Sequence, residues 1–206
     1  PAATEETLAE AERLTGYIDL AAIETEPFAQ WVVEDRFPLG RPAWEAGGAL
    51  FAADVAPYEA MKLRMLNGSH SMLAYAGFHA GHTYVRDVMD DPALSALVRR
   101  HLHAAAATLA PLSGIDFAVY AGELEDRFRN PAIAHATFQI AMDGSEKMPQ
   151  RIFAAVPAAR DLRPFAFATA AWLRHLSLRT HDCAPYELRD PRAAALARAA
   201  SGPDGA

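Results

Sequence analysis

One feature constrains the fold more than any other: after Pro57 the chain repeats the hydrophobic spacing of amphipathic helices. Leu94, Leu97, Val98 and Leu102, for example, share one helical face, and the Asn130-Pro131 pair is typical of a helix start. The spacing predicts helices over residues 58–79, 92–110, 131–142, 145–156, 164–179 and 191–200. Residues 56–200 are therefore expected to form one multi-helical domain.

The first 55 residues have a different pattern. We expect a helix over residues 4–15, a strand over 28–34 and a second strand over 49–51, because the strand segments are rich in aromatic and β-branched residues. The fold is thus predicted to be mainly α, with a short α/β segment leading into it. Residues 201–206, which contain no apolar side chain larger than alanine, are expected to form a disordered tail.

Composition excludes several classes of partner. The formal net charge is −7, and a negative surface repels nucleic-acid phosphates and anionic membranes. No run of apolar residues approaches the roughly 18 residues that a membrane span needs. Cys183 is the only cysteine, so an intrachain disulfide is excluded, which fits a cytoplasmic protein. Neither a Gly-x-Gly-x-x-Gly turn nor a phosphate-binding loop is present, so no nucleotide-binding residue is predicted in this chain.

The predicted helix over residues 58–79 carries the most suggestive polar residues. At about 100° per residue, Glu59, Asn67 and His70 fall within about 140° of Lys62 on an otherwise apolar helix, which indicates burial. Burial favours the neutral amine of a lysine, and such a lysine can exchange protons with an alcohol or a ketone. The alternative is structural: Lys62 reaches solvent, His70 packs in the core, and Asn67-Gly68 ends the helix.

At these residues the sequence resembles a known family. Lys62, Asn67 and His70 form the Lys-x4-Asn-x2-His motif of the long-chain mannitol dehydrogenases, a family that includes mannitol 2-dehydrogenases and fructuronate reductases (mannonate oxidoreductases). Residues 25–35, 139–151 and 186–191 also resemble that family. The resemblance implies two domains: an N-terminal Rossmann-like domain that binds NAD(H) or NADP(H), and a helical C-terminal domain that supplies the catalytic residues. It implies that residues 1–55 are the end of the first domain, and that the isolated chain is inactive without it.

The resemblance also implies a role for each site residue. Lys62 is the general acid/base, Asn67 helps to bind the developing alkoxide, His70 orients the reacting oxygen, and Glu59 relays protons to Lys62. Lys147 binds the distal part of a sugar substrate. Some relatives carry Arg near positions 136 and 139, where this chain has Ala136 and Gln139; Gln139 is retained as a candidate substrate ligand. The segment around Gln139 is more similar to the fructuronate reductase branch. No metal is required.

Two other classes of function remain open from the residues alone. The first is a stand-alone helical binding or assembly domain that performs no chemistry. The second is a metal-dependent hydrolase, suggested by the pairs His79/His82 and His101/His103. Neither pair completes a recognised zinc-ligand set with Cys183, so we expect no metal site.

Overall fold

The computed structural model describes residues 3–200, so the tail expected at 201–206 lies outside the described residues. Contacts within the chain divide it into two compact units, Pro1–Val55 and Ala56–Ala206. The predominance of helix over a single two-stranded sheet confirms the mainly α fold class. The assignment of the first unit to the end of a Rossmann-like domain stays a prediction.

The first unit contains one helix and a pair of strands. Helix α1 (Glu5–Thr15) begins where the Thr4 hydroxyl accepts a hydrogen bond from the Thr7 backbone at 3.1 Å. Strands β1 (Trp31–Glu34) and β2 (Ala49–Ala52) pair in parallel, with Trp31 opposite Ala49. A 3₁₀ turn (Trp44–Gly47) lies between them along the chain. β1 begins three residues later than the predicted strand at 28–34.

The second unit is built from helices. They are α2 (Ala56–Met61), α3 (Gly68–Ala80), α4 (Val85–Asp90), α5 (Pro92–Ala106), α6 (Phe117–Phe128), α7 (Thr137–Ile140), α8 (Gly144–Arg151), α9 (Arg163–His175) and α10 (Ala193–Ala200). A π-helical segment (Lys62–Asn67) joins α2 to α3, and a 3₁₀ segment (Phe153–Ala158) follows α8. Within the described residues none of these helices is long and apolar enough to cross a membrane.

Helix α3 is the centre of the second unit. It packs against α5, α7 and α9, and its residues Met72, Leu73 and Tyr75 are fully buried. Leu102 of α5 and Phe165 of α9 belong to the same core. Because α3 is covered on several sides, its apolar residues occur all around the helix rather than along one stripe.

The helix predicted over residues 58–79 continues through Asn67-Gly68, since the π-helical segment leads directly into α3. Other predicted helix boundaries are corrected by the structure. No helix begins at Pro131: the Asn130 side chain accepts a hydrogen bond from the Ala132 backbone at 3.0 Å, which closes a turn, and helix returns only at Thr137–Ile140. Helix α5 ends at Ala106 rather than near residue 110.

Two helices were not predicted at all. Helix α6 begins at a clear cap, because the Asp116 carboxylate accepts hydrogen bonds from the backbones of Ala118 (2.7 Å) and Val119 (3.2 Å). Its buried residues recur at helical spacing, so the signal was present in the sequence: Tyr120, Ala121, Leu124 and Phe128. Helix α4 is only six residues long and leaves a much weaker periodic signal.

Candidate active site

The π-helical segment decides where the candidate catalytic residues lie. In it the Gly68 backbone N–H donates to the carbonyl of Leu63, five residues earlier, instead of four as in an α-helix. Residues five apart therefore lie above one another, which brings Lys62 and Asn67 to the same face. His70 follows Asn67 by three residues in regular α-helix and continues that face. The α-helical wheel placed Lys62 and Asn67 about 140° apart, and the π turn removes most of that separation.

The opposite side of the same segment is anchored in the core. Met61, Met65 and Met72 are all at most 2% exposed. Gly68 allows an unusually close approach at this point, since a Cβ there would lie 2.9 Å from the Arg151 carbonyl oxygen and 3.2 Å from Nε2 of His101. The end of α8 thus packs directly onto the backbone where the π turn ends.

The predicted burial of Lys62 is wrong for this chain. Lys62 and Glu59 are exposed, whereas Asn67 and His70 are half-buried. The reason is that the core side of the helix is taken by the methionines, so the face with Lys62 turns outward. No ion pair joins Glu59 to Lys62 among residues 3–200, and the proton relay between them stays a prediction.

His70 lies in a basic environment. Its ring is 4.6 Å from the ring of Phe128 and 5.5 Å from that of His135, centroid to centroid. Burial, together with the charges of His135, Arg151 and Arg127, lowers the pKa of His70 to about 3. At neutral pH the imidazole is therefore uncharged, with one nitrogen as donor and the other as acceptor.

Lys147 is held by backbone carbonyls. Its ammonium donates to the carbonyl of Met142 at 2.6 Å and to that of Ile140 at 3.3 Å, and lies 3.6 Å from the carboxylate of Asp143. Burial lowers the pKa of Lys147, while the charge of Asp143 opposes that shift. The side chain is thus fixed at the end of α7. Burial lowers the pKa of His135, and the charge of Lys147 lowers it as well.

The turn before α8 sets the position of Lys147. Asp143 adopts left-handed backbone angles (φ 59°, ψ 36°), and Gly144 follows where a Cβ would lie 2.5 Å from both Tyr75 and Trp172. Ser145 lies inside α8 rather than at its cap. Instead its backbone N–H and its hydroxyl donate to the Asp190 carboxylate at 2.8 and 2.6 Å.

Gln139 is the predicted residue that the structure does not bring into this cluster. It lies on α7 with an exposed side chain, and no hydrogen bond connects it to the other site residues in the described part of the chain. Two residues that were not predicted do lie in the cluster: His135 and Arg151. Arg151 is the last residue of the segment 139–151 that carries the family resemblance, and His135 precedes that segment by four residues. The basic residues in and near this segment were the signal from which they could have been found.

The candidate metal ligands are dispersed. Among residues 3–200 no group of three or more His, Cys, Asp or Glu side chains is arranged to hold a metal ion. His101 is fully buried beside Gly68 and Phe165, whereas His103 on the same helix is exposed.

Comparison with known proteins identifies the family. The model of the mannitol dehydrogenase C-terminal domain matches residues 54–204. An uncharacterized oxidoreductase of Escherichia coli, YdfI, is 45% identical over 93% of this chain and 40% of its own length. D-mannonate oxidoreductase of the same organism is 47% identical over 85% of this chain and 37% of its own length.

A solved structure agrees with this result. Mannitol 2-dehydrogenase of Pseudomonas fluorescens, in a ternary complex with NAD and D-mannitol, superimposes with a TM-score of 0.85 at 36% identity, covering 98% of this chain and 42% of that one. The chain therefore spans about two fifths of the length of these relatives. It belongs to the mannitol dehydrogenase family and contains the family's C-terminal domain.

Proposed function

We propose that this chain is the catalytic portion of an NAD(P)-dependent oxidoreductase that interconverts a ketose or keto-hexuronate with its polyol or aldonate. The observation that carries the proposal is the π turn, which places Lys62, Asn67 and His70 on one face. Relatives named for mannitol and D-mannonate, and the NAD complex of one of them, support the substrate and cofactor classes.

Lys62 is proposed as the general acid/base. In the direction of reduction its ammonium donates a proton to the carbonyl oxygen, and in the direction of oxidation the neutral amine accepts the hydroxyl proton. The exposure of Lys62 in this chain fits that role, because the group must be reached both by substrate and by the proton donors that recharge it. Glu59, exposed one turn earlier, is proposed to relay those protons.

Asn67 and His70 are proposed to handle the reacting oxygen. The amide of Asn67 donates a hydrogen bond to an alkoxide as charge develops on it, and a half-buried donor is more effective than one in water. The uncharged imidazole of His70 orients the same oxygen through its N–H. Neither step requires a metal ion in the proposed mechanism.

The cofactor is proposed to come from outside this chain. A bound nicotinamide supplies or accepts the hydride. The described residues contain no glycine-rich turn between a strand and a helix that would hold its phosphates, so the Rossmann-like domain of the full-length protein is the proposed binding site. Residues 1–206 alone are expected to be inactive.

The substrate end of the site is proposed to lie toward Lys147. Lys147 is held by two carbonyls with its charge near His135, so it can donate to hydroxyl or carboxylate oxygens of the distal part of a sugar. Gln139 is proposed as a weaker contributor from the edge of α7. The 47% identity to D-mannonate oxidoreductase favours fructuronate and mannonate over fructose and mannitol.

The experiment is a turnover assay on the full-length protein. Reduction of D-fructuronate and of D-fructose is followed with NADH and with NADPH through the absorbance of the reduced nicotinamide. The proposal predicts that the wild type reduces at least one of the two ketoses with at least one of the two cofactors. The Lys62→Ala variant should not catalyse that reduction. If neither ketose is reduced with either cofactor, the alternative of a non-catalytic helical binding or assembly domain replaces the proposal.

A further inference from the structure

The backbone at His135 is held by a neighbouring segment. The residue lies where a helix was predicted, but the chain runs extended there, and Ala136 forms a β-bridge with Tyr84. The His135 carbonyl accepts a hydrogen bond from the backbone of Val85 at 3.0 Å. These backbone contacts place the ring of His135 beside the ring of His70, at a centroid separation of 5.5 Å.

The ring of His70 contacts two other rings. Phe128, the last residue of α6, is 3% exposed, and its ring centroid lies 4.6 Å from that of His70 with the planes tilted by 39°. The ring of His135 meets that of His70 edge to face, with 81° between the planes. Both separations lie in the range in which ring pairs attract each other. Rotation of the His70 ring changes both angles, so the two contacts together favour one plane of the imidazole.

The plane of the His70 ring is the property that these contacts can control. The torsion that turns an imidazole is broad, so the position of His70 on α3 does not by itself fix the plane. The ring nitrogens donate and accept in that plane, and a hydrogen bond weakens steeply when its angle falls below about 120°. A donor that has to meet a reacting oxygen therefore needs packing partners that hold its ring.

The side chain of His135 takes no part in the hydrogen bonding of the fold. Its ring nitrogens make no hydrogen bond within residues 3–200, and the bonds that hold its segment are made by backbone atoms. The side chain is half-buried, so shortening it leaves no fully enclosed cavity. The ring can therefore be changed while the backbone arrangement is kept.

We propose that His135 is a positioning residue: its ring, together with that of Phe128, holds the imidazole plane of His70 so that the N–H of His70 points to the reacting oxygen. His135 itself touches neither substrate nor cofactor in this mechanism and acts only through His70. The inference rests on the proposed function, and it adds a residue from outside the motif of Lys62, Asn67 and His70.

The first arm of the test is a double-mutant cycle on kcat. In the full-length protein, with the ketose and cofactor that give the fastest turnover, His135→Ala should lower kcat by about twofold to tenfold, the range of one aromatic pair. His135→Phe keeps an aromatic ring and should retain most of kcat. In a His70→Ala background, His135→Ala should lower kcat no further, because the ring through which His135 acts is absent.

The matched control is His103→Ala, the same change at an exposed histidine of α5, which should leave kcat unchanged. The inference is overturned if the kcat losses of His70→Ala and His135→Ala multiply in the double variant, since His135 would then act independently of His70. A loss in His135→Phe as large as that in His135→Ala also overturns it, because ring packing would then not be the cause.

The second arm observes the His70 ring without turnover. Carbon NMR relaxation of the Cε1–H bond of His70 in the full-length protein should give an order parameter of about 0.85 in the wild type and below about 0.6 in His135→Ala. An equal order parameter in the two proteins overturns the inference. If His135→Ala does not fold, a wild-type value below about 0.6 overturns it. A rigid His70 ring in a protein that reduces no ketose would reject the proposed function alone.

Discussion

Substitution of Gly68 by alanine tests the packing that shapes the π turn. The new Cβ would lie 2.9 Å from the carbonyl oxygen of Arg151 and 3.2 Å from Nε2 of His101. The first contact is with backbone, so it is relieved only by moving the end of α8 or the helix that carries Asn67. Such overpacking typically lowers the free energy of unfolding by about 1–3 kcal/mol. Replacing glycine by alanine inside a helix raises it by roughly 1 kcal/mol. The net expectation is a loss of between zero and about 2 kcal/mol.

Gly122 provides the matched control. It is an exposed residue inside α6, and a Cβ built on it meets nothing within 4 Å. Gly122→Ala should therefore show only the gain in helix propensity, about 1 kcal/mol. The difference between the two variants, about 1–3 kcal/mol, isolates the steric cost at Gly68.

The assay is urea unfolding of the full-length protein and the two variants, with the free-energy differences taken from the midpoints at constant m-value. Turnover is measured on the same samples, because a displaced Asn67 should also reduce kcat. If Gly68→Ala is stabilised as much as Gly122→Ala and keeps full activity, then the close approach of α8 does not shape the π turn.

Three further results are expected. Asn67→Ala should lower kcat by roughly 10²–10³-fold, as loss of an oxyanion donor does, and an effect on KM alone would contradict that role. Asp190→Ala removes the acceptor of two hydrogen bonds from Ser145 and should cost about 1–3 kcal/mol, with a higher KM because Lys147 is displaced; unchanged KM would contradict the link. Burial lowers the pKa of His101 and of His175 to about 4. As the pH falls, the histidines of the unfolded chain bind protons before those of the folded chain. The free energy of unfolding should therefore be highest above about pH 6.5 and fall by about 1.4 kcal/mol per pH unit for each histidine down to about pH 4. A urea midpoint that does not change between about pH 7 and about pH 5 would contradict this expectation.

The general architecture was predictable because periodicity reports burial directly. Helix α5 shows this: its apolar residues recur at helical spacing, and the structure adds a cap, because the Asp91 carboxylate accepts a hydrogen bond from the Ala93 backbone. The failure at Asn130-Pro131 has a different cause, because the local sequence is ambiguous there. An asparagine before proline can cap a helix or close a turn, and only tertiary contacts, here the bridge between Tyr84 and Ala136, decide between them.

The candidate site residues could be named from the sequence, but their geometry could not. The motif of Lys62, Asn67 and His70 is visible in the sequence, whereas the π turn that aligns them has no residue signature. We expect the turn to depend on the close approach of α8 to Gly68. The burial predicted for Lys62 failed because a helical wheel does not tell which apolar face meets the core. His135 was missed because its segment was expected to be helical.

The central claim is that Lys62 transfers the proton in the reaction, and chemical rescue tests it most directly. In the full-length protein Lys62→Ala should lower kcat by roughly 10²–10⁴-fold, with little change in cofactor binding. Added primary amines should then restore part of kcat, to an extent that depends on the pKa of the amine. Near-normal turnover of Lys62→Ala without any added amine would contradict the assignment.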